Sequence, residues 1–193
     1  MRFSAAIVAL VLLFVLSACS DQAIYKHTAH AADSLNGALN LAKQQLLQSD
    51  TIVLKKAITK FKEYSSFVEL HVSDTLTKVE ADNLQKFTQS GKQLEAFEMN
   101  RVVLAERANL ISTQLVKLST DSEKKANSAE VLQAYYSKEL AQAQLVMSTS
   151  SQQLAIFQAA LSDFKSALPG MDALIRKRNR GELPEVIKDT LQL

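Results

Sequence analysis

The fold is decided by residues 132–168, LQAYYSKELAQAQLVMSTSSQQLAIFQAALSDFKSAL, where apolar or small residues return every three or four positions. Sustained over about five heptads, this 3.5-residue repeat is typical of long helices that pack lengthwise, as in a coiled coil. We therefore predict a helix over 122–168 whose apolar seam another helix must cover. The seam consists of Leu132, Tyr136, Leu140, Ala143, Met147, Ser150, Leu154, Phe157, Leu161, Phe164 and Leu168.

Three earlier segments, 22–48, 54–72 and 94–118, carry the same period. Each predicts an amphipathic helix with one buried face. In chain order, the seams consist of Ala31, Leu35, Ala38 and Ala42; of Leu54, Ile58, Phe61, Ser65, Val68 and Val72; and of Leu94, Phe97, Arg101, Leu104, Ala108, Ile111, Leu115 and Leu118.

Together the four seams predict an all-α fold. We expect an elongated antiparallel bundle of three or four long, coiled-coil-like helices, with short helices at the C-terminal end. The polar stretch Ser119–Ser122 is the clearest turn, and it would fold residues 74–118 back against the helix that follows. Residues 51–118 could form one helix or break near Ser73-Asp74, and Gly91 is a second candidate bend.

Helix ends are marked by a few short motifs. Ser49-Asp50 can end one helix and cap the next, because a short oxygen side chain accepts hydrogen bonds from the first-turn amides. Thr120 and Glu123 have the spacing of a capping box. Pro169-Gly170 should stop the long helix, since proline disfavours helical backbone in the residue before it. Two short helices would then follow, near 171–179 and 184–192.

These boundaries predict three segments. Residues 1–18 would be a cleaved leader, 19–168 one bundle domain, and 169–193 a helical tail packed on that bundle. The composition agrees with helices, because 193 residues with only four glycines and two prolines lack the turns of an all-β domain. The formal net charge of +2 implies no strongly charged partner, and nucleic-acid binding is not expected.

The N-terminus carries the most specific motif. Met1-Arg2 forms a short basic lead, and Ala5–Val15 is an unbroken apolar run of 11 residues. Such a run is too short to span a bilayer and suits the apolar region of a secretory signal. It ends at Leu16-Ser17-Ala18-Cys19, which contains the only cysteine and resembles the lipobox of bacterial lipoprotein precursors. An ordinary signal peptide cut after Ala18 is the alternative.

The lipoprotein resemblance implies that Cys19 is the site of lipidation. Its thiol would be diacylglycerated, the peptide cut before it, and the new amino group acylated, typically with palmitate. Cys19 is then a membrane anchor, and two or more acyl chains suffice for stable anchoring. Ser20 resembles the outer-membrane sorting pattern, which implies an envelope location facing the periplasm, with the inner membrane as the alternative. No family is recognised for the helical domain itself.

Candidate chemical sites are few. His27, His30 and Asp33 recur at three-residue intervals and could present metal ligands on one helix face, but the spacing alone is weak evidence and we favour a solvated, membrane-proximal helix face. No nucleotide-binding loop, nucleophile motif or paired carboxylates stand out, so we predict no cofactor, no metal and no enzymatic activity.

One dense basic cluster consists of Arg176, Lys177, Arg178 and Arg180. These cations could stabilise a helix C-terminus that Gly181 ends. They could also contact anionic lipid or phosphate, or an acidic partner protein.

Two further expectations concern single residues. Arg101, the one charge on its seam, should pair with Glu139 or a polar group one turn away if the hairpin folds about residue 120. The alternative is that Arg101 lies at the solvent edge of the seam. Tyr136 should lie in the core, while Tyr135 is left partly exposed as an anchor for a partner. The expected function is that of a lipid-anchored, non-enzymatic scaffold or accessory subunit that binds envelope proteins. A second copy of the chain is another candidate partner, and a bundle that senses a small ligand is the alternative function.

Overall fold

The computed structural model describes residues 3–72 and 75–184, with side chains from residue 21 onward. These residues form four helices and no strand, which confirms the all-α prediction. The helices are α1 (Phe3–Leu47), α2 (Thr51–His71), α3 (Lys78–Glu123) and α4 (Ala129–Arg178).

The chain divides into two units. The first unit comprises Met1–Lys43 and Glu106–Ser148, and the second comprises Gln44–Ala105 and Thr149–Leu193. Each has its own apolar core. In the first unit, the buried core side chains come from α1, α3 and α4: Ala32, Leu35, Leu39, Ala108, Ile111, Leu115, Leu118, Leu132, Ala143 and Val146.

The core of the second unit is rich in aromatic side chains. Phe87 of α3 stacks on Phe164 of α4 with 4.8 Å between ring centroids, and Phe97 stacks on Phe157 at 4.6 Å. The residue numbers of the stacked α4 rings therefore fall as those of the α3 rings rise. From α2, Phe61 and Tyr64 pack against Phe87. Burial of these rings joins three helices, because each large aromatic side chain removes about 150–250 Å² of surface from water.

The seam from Leu94 to Leu118 is confirmed, since every one of its positions, Arg101 included, is buried. The α1 seam is correct at Leu35, which is buried, but Ala32 and Leu39 are buried in place of Ala31 and Ala38. Burying Leu39 in place of Ala38 removes more apolar area from water. On α4, half of the predicted seam is only half-buried, because the core also takes the neighbouring residues Val146, Ala160 and Ala167.

The predicted cap at Asp50 is confirmed. α1 ends at Leu47, and the Asp50 carboxylate accepts a hydrogen bond from the Val53 amide at 3.0 Å. A second cap was not anticipated, although Thr77 and Glu80 have capping-box spacing. The Thr77 amide donates to Glu80 Oε2 at 2.8 Å, and the Glu80 amide donates to Thr77 Oγ1 at 3.3 Å. This box starts α3, so residues 51–118 form two helices, and α3 continues through Gly91.

The predicted turn at Ser119–Ser122 is wrong. α3 runs through it to Glu123, and the chain turns over 124–128, where Lys125 adopts a φ of 52°. The hydroxyls do not break the helix, because Thr120 donates back to the Val116 carbonyl at 3.0 Å and Ser119 and Ser122 are buried in the first unit. Polar residues in this stretch therefore belong to the helix.

The prediction that Pro169 ends the long helix is also wrong. α4 continues to Arg178, so the short helix expected at 171–179 is its last part, and nearly all of 184–192 lies outside the described residues. A proline inside a helix costs about 3 kcal/mol. Burying a large apolar side chain gains about 1.5–3 kcal/mol, and this last part of α4 buries three of them, which outweighs that cost. They are Met171, Leu174 and Ile175.

Candidate protein-binding groove

An open groove runs between α3 and α4 in the first unit. At one end, Leu110 and Leu145 line it although they remain 67% and 61% exposed, and the buried residues Ile111 and Val146 form its floor. This part has a volume of about 390 Å³. Large apolar side chains left in water on both sides of an apolar floor are typical of a surface that another molecule covers.

The other end of the groove is polar. Gln114 borders both ends, so we treat them as one feature, the α3–α4 groove. The polar end has a volume of about 340 Å³ and is lined by Lys117, Asp121, Lys138 and Glu139 among others. Tyr135 also lines it and is 55% exposed, whereas its neighbour Tyr136 packs on the core, as the sequence predicted.

Glu139 is the unusual member of this lining. Only 7% of the residue is exposed, and its Oε2 atom is buried with no hydrogen-bond partner among the described residues. No described lysine or arginine forms an ion pair with it. Burying a polar atom without a hydrogen-bond partner is costly, so Glu139 Oε2 is an atom that the described residues leave unsatisfied.

The helical period explains why Glu139 is buried. On α4, Leu132, Glu139 and Val146 are each seven positions apart and all three are buried. Glu139 therefore occupies a core position of the heptad, where an apolar residue is the usual choice. The sequence interpretation missed this because it placed the seam at the neighbouring positions Tyr136 and Leu140.

The expected Arg101–Glu139 contact is wrong. Arg101 pairs with Glu98 on its own helix, with 2.8 Å between Arg101 Nη2 and Glu98 Oε1. Hydrogen bonds from this guanidinium lower the pKa of the Glu98 carboxyl. The neighbouring Asn100 donates to Gln153 at 3.2 Å. The register differs from the expected one because the chain turns near residue 126 and not near 120.

The basic cluster lies at the end of α4 in the second unit. The Gly181 amide donates to the Arg176 carbonyl at 2.8 Å, with Gly181 at a φ of 92°, so the helix ends at a glycine as expected. Arg176 Nη1 donates to the Gly181 carbonyl at 3.3 Å, and Lys177 Nζ lies 2.7 Å from Glu80 Oε1. Arg178 is half-buried and Arg180 is exposed. Two of these cations thus stabilise the unit internally.

The hydrogen bonds from Lys177 and Thr77 lower the pKa of the Glu80 carboxyl to about 2. Glu80 therefore both caps α3 and ties it to the last turn of α4, which places the basic cluster beside the start of α3.

A second buried polar cluster lies in the second unit. Tyr64 of α2 donates a short hydrogen bond to Asp172 of α4, and burial, followed by this bond, raises the pKa of the phenol. Lys60 is 3% exposed, and burial lowers the pKa of its amine although Asp172 and Glu63 oppose that shift. The Tyr64–Asp172 hydrogen bond thus links α2 to α4.

The candidate metal ligands do not form a cluster. His27, His30 and Asp33 are exposed on α1, and the described residues contain no group of three side chains placed to bind a metal ion. His30 and Asp33 instead line a shallow cavity of the first unit together with Lys125.

The lipidation motif falls in the N-terminal part of α1. Cys19 lies outside the residues whose side chains the structure describes. None of the helices, over the residues that are described, has a segment both long and apolar enough to cross a bilayer.

Comparison of the chain with protein-family models, with curated proteins and with solved structures gives no match.

Proposed function

We propose that this protein is a lipid-anchored lipoprotein of the bacterial cell envelope that binds another protein and catalyses no reaction. The observation that carries the proposal is the α3–α4 groove, in which Leu110 and Leu145 are exposed above an apolar floor. Glu139 is buried there, and its Oε2 has no hydrogen-bond partner in the part of the chain that the structure describes. Both features lower the stability of the free protein. A bound partner would offset both.

The groove has the features of a helix-binding surface. Its walls are two helices, and its floor residues Ile111 and Val146 belong to the core of the first unit. A helix laid into such a groove would bury the two exposed leucines and complete the packing. Exposed Tyr135 at the other end supplies an aromatic side chain of the type enriched where binding energy concentrates.

Anchoring at Cys19 would place this groove at a membrane surface. The proposal rests on the basic lead, the 11-residue apolar run and the lipobox-like sequence before the single cysteine. Ser20 favours the outer membrane with the domain facing the periplasm. In this proposal the two long helices α3 and α4 form an elongated antiparallel hairpin that presents the groove to envelope proteins.

A small apolar ligand is the second candidate occupant. The two ends of the groove, about 390 and 340 Å³, fall at the lower end of the range of small-molecule sites. In that case the protein would sense a ligand and would need no protein partner.

Quantitative affinity purification from native membranes tests the proposal. The variant Leu110→Glu/Leu145→Glu places two charges in the groove, and both positions are exposed, so the fold should persist. The matched control is Ile52→Glu/Leu70→Glu, which changes two exposed residues of α2. We expect a protein recovered with wild type and control to fall at least about tenfold with the groove variant. Equal recovery of that protein with wild type, the groove variant and the control would contradict the proposal. A small molecule that raises the melting temperature of wild type and the control, but not of the groove variant, would favour the ligand sensor.

A further inference from the structure

The α3–α4 groove combines an apolar end with a buried carboxylate at a fixed spacing. Leu145 and Glu139 are six positions apart on α4, which corresponds to about 9 Å along the helix axis. Leu110 and Lys117 are seven positions apart on α3, or about 10 Å. A molecule lying along the groove therefore meets the leucines first and the charged residues one heptad later.

Charge in the polar end is arranged in layers. Glu139 is 7% exposed, and its Oε2 has no hydrogen-bond partner among the described residues. Asp121 is half-buried, whereas Lys117 and Lys138 are exposed. In packed helices, a buried charge at a core position requires an opposite charge on the facing helix, and exposed charges at the edges select the flanking residues of the partner. The less exposed carboxylates, Glu139 and Asp121, therefore favour a cation on the partner, and the exposed lysines favour anions beside that cation.

We propose that the groove binds an amphipathic helix of a partner protein that carries a Lys or Arg six or seven positions from a large apolar residue. The apolar residue sits between Leu110 and Leu145, and the cation donates hydrogen bonds to the Glu139 carboxylate. Asp or Glu residues flanking the cation pair with Lys117 and Lys138. This inference rests on the proposed function and specifies the chemistry of its partner.

A second copy of the chain fits this groove less well. Two copies that face each other across the groove with parallel helices would oppose one Glu139 to the other, and with antiparallel helices they would set each Glu139 against the other copy's leucines. Like charges opposed at a buried position are unfavourable. The observations therefore favour a different protein whose charge is complementary at this point.

Photo-crosslinking in native cells tests the inference. A photoreactive amino acid replaces Leu145 in the full-length protein, and mass spectrometry identifies the crosslinked peptide. The comparison is made in three backgrounds: wild type, Glu139→Gln, and the control Glu130→Gln, which changes an exposed glutamate of the same helix. We expect the adduct to fall at least about tenfold with Glu139→Gln and to be unchanged with Glu130→Gln.

The crosslinked peptide must be helical and contain a Lys or Arg six or seven positions from the attachment point. Reversing the charge with Glu139→Lys should abolish the adduct, and changing the partner's basic residue to Glu should restore it, which also shows that the variant folds. An adduct that persists in Glu139→Gln, a peptide without that cation, or an adduct to a second copy of the chain would each overturn the inference while leaving binding at the groove intact. No adduct above that of the same reagent at Leu70 would instead overturn the proposed function.

Discussion

Gly91 of α3 lies directly against the ring of Phe61 on α2, so closely that a Cβ atom at residue 91 would overlap the ring. Both residues are buried in the core of the second unit. Alanine is the better helix former by about 1 kcal/mol, but overpacking a well-filled core typically costs about 1–3 kcal/mol. We therefore predict that Gly91→Ala lowers the free energy of unfolding, by up to about 2 kcal/mol, measured by urea denaturation.

Gly37 supplies the matched control. It lies exposed on α1, and no atom lies within 4 Å of the position that its Cβ would take. Gly37→Ala should therefore raise the free energy of unfolding by about 0.5–1 kcal/mol through helix propensity alone. If both substitutions shifted stability in the same direction, the close packing of α2 on α3 at Phe61 would be contradicted.

The ion pair between Glu80 and Lys177 predicts a specific pH dependence. The folded protein lowers the pKa of Glu80 to about 2, below the ordinary value of 4.5. Its contribution to stability is therefore fully present above about pH 4.5 and is lost as the pH falls through about 2. The melting temperature of Lys177→Met should lie below that of wild type at pH 7, and the difference should shrink progressively between pH 4.5 and 2.

Lys86→Met is the control for that measurement. Lys86 pairs with Asp163 at 3.0 Å, also between α3 and α4, but both side chains are about half exposed. Exposed ion pairs contribute about 0–1 kcal/mol, so this variant should melt close to wild type. A Lys177→Met protein that matches wild type at pH 7 would show that the Glu80 bridge contributes nothing measurable.

Glu139 should lower the stability of the free protein although it is needed to bind the proposed partner. Replacing it with methionine removes a buried carboxylate whose Oε2 has no hydrogen-bond partner among the described residues, and it fills a heptad core position with an apolar side chain. We expect Glu139→Met to raise the free energy of unfolding of the purified protein by about 1–3 kcal/mol. Glu130→Met, at an exposed position of α4, should change it by less than about 0.5 kcal/mol. A destabilised Glu139→Met protein would mean that the carboxylate is satisfied in solution.

The proposed anchor predicts the behaviour of one further variant. Because Cys19 is the only cysteine, Cys19→Ser should abolish incorporation of labelled fatty acid and leave an uncleaved precursor. Wild type should resist extraction from membranes by high salt, since two acyl chains anchor a protein stably. Labelling of the Cys19→Ser protein, or release of wild type by salt, would exclude lipidation at this residue.

Sequence periodicity predicted the helices better than their ends. The seam from Leu94 to Leu118 is buried throughout because a 3.5-residue repeat leaves only one face to pack. The helix end predicted at Pro169 is wrong because the local preference of proline is outweighed by the free energy gained when Met171, Leu174 and Ile175 are buried. The turn predicted at Ser119–Ser122 is wrong because a threonine hydroxyl can also donate to a carbonyl of its own helix, as Thr120 does.

The candidate site was harder to predict than the fold. Its polar centre depends on the register between α3 and α4, and an error of six residues in the turn assigned Glu139 to Arg101. The burial of Glu139 could have been read from its place midway between Leu132 and Val146. The sequence could not predict that Oε2 has no hydrogen-bond partner among the described residues, because this depends on which side chains α3 and α4 bring together in space.

The accessibility of residue 145 in the native envelope tests most directly whether the groove is occupied by a partner. The only native cysteine would carry lipid, so Leu145→Cys provides a single thiol that maleimide reagents can label, and Leu70→Cys, at a position 75% exposed on α2, provides the reference. We predict that Leu145→Cys reacts at least about tenfold more slowly in native membranes than in the purified protein, while Leu70→Cys reacts equally fast in both. Equal reactivity of Leu145→Cys in the two settings would contradict a partner bound in the α3–α4 groove.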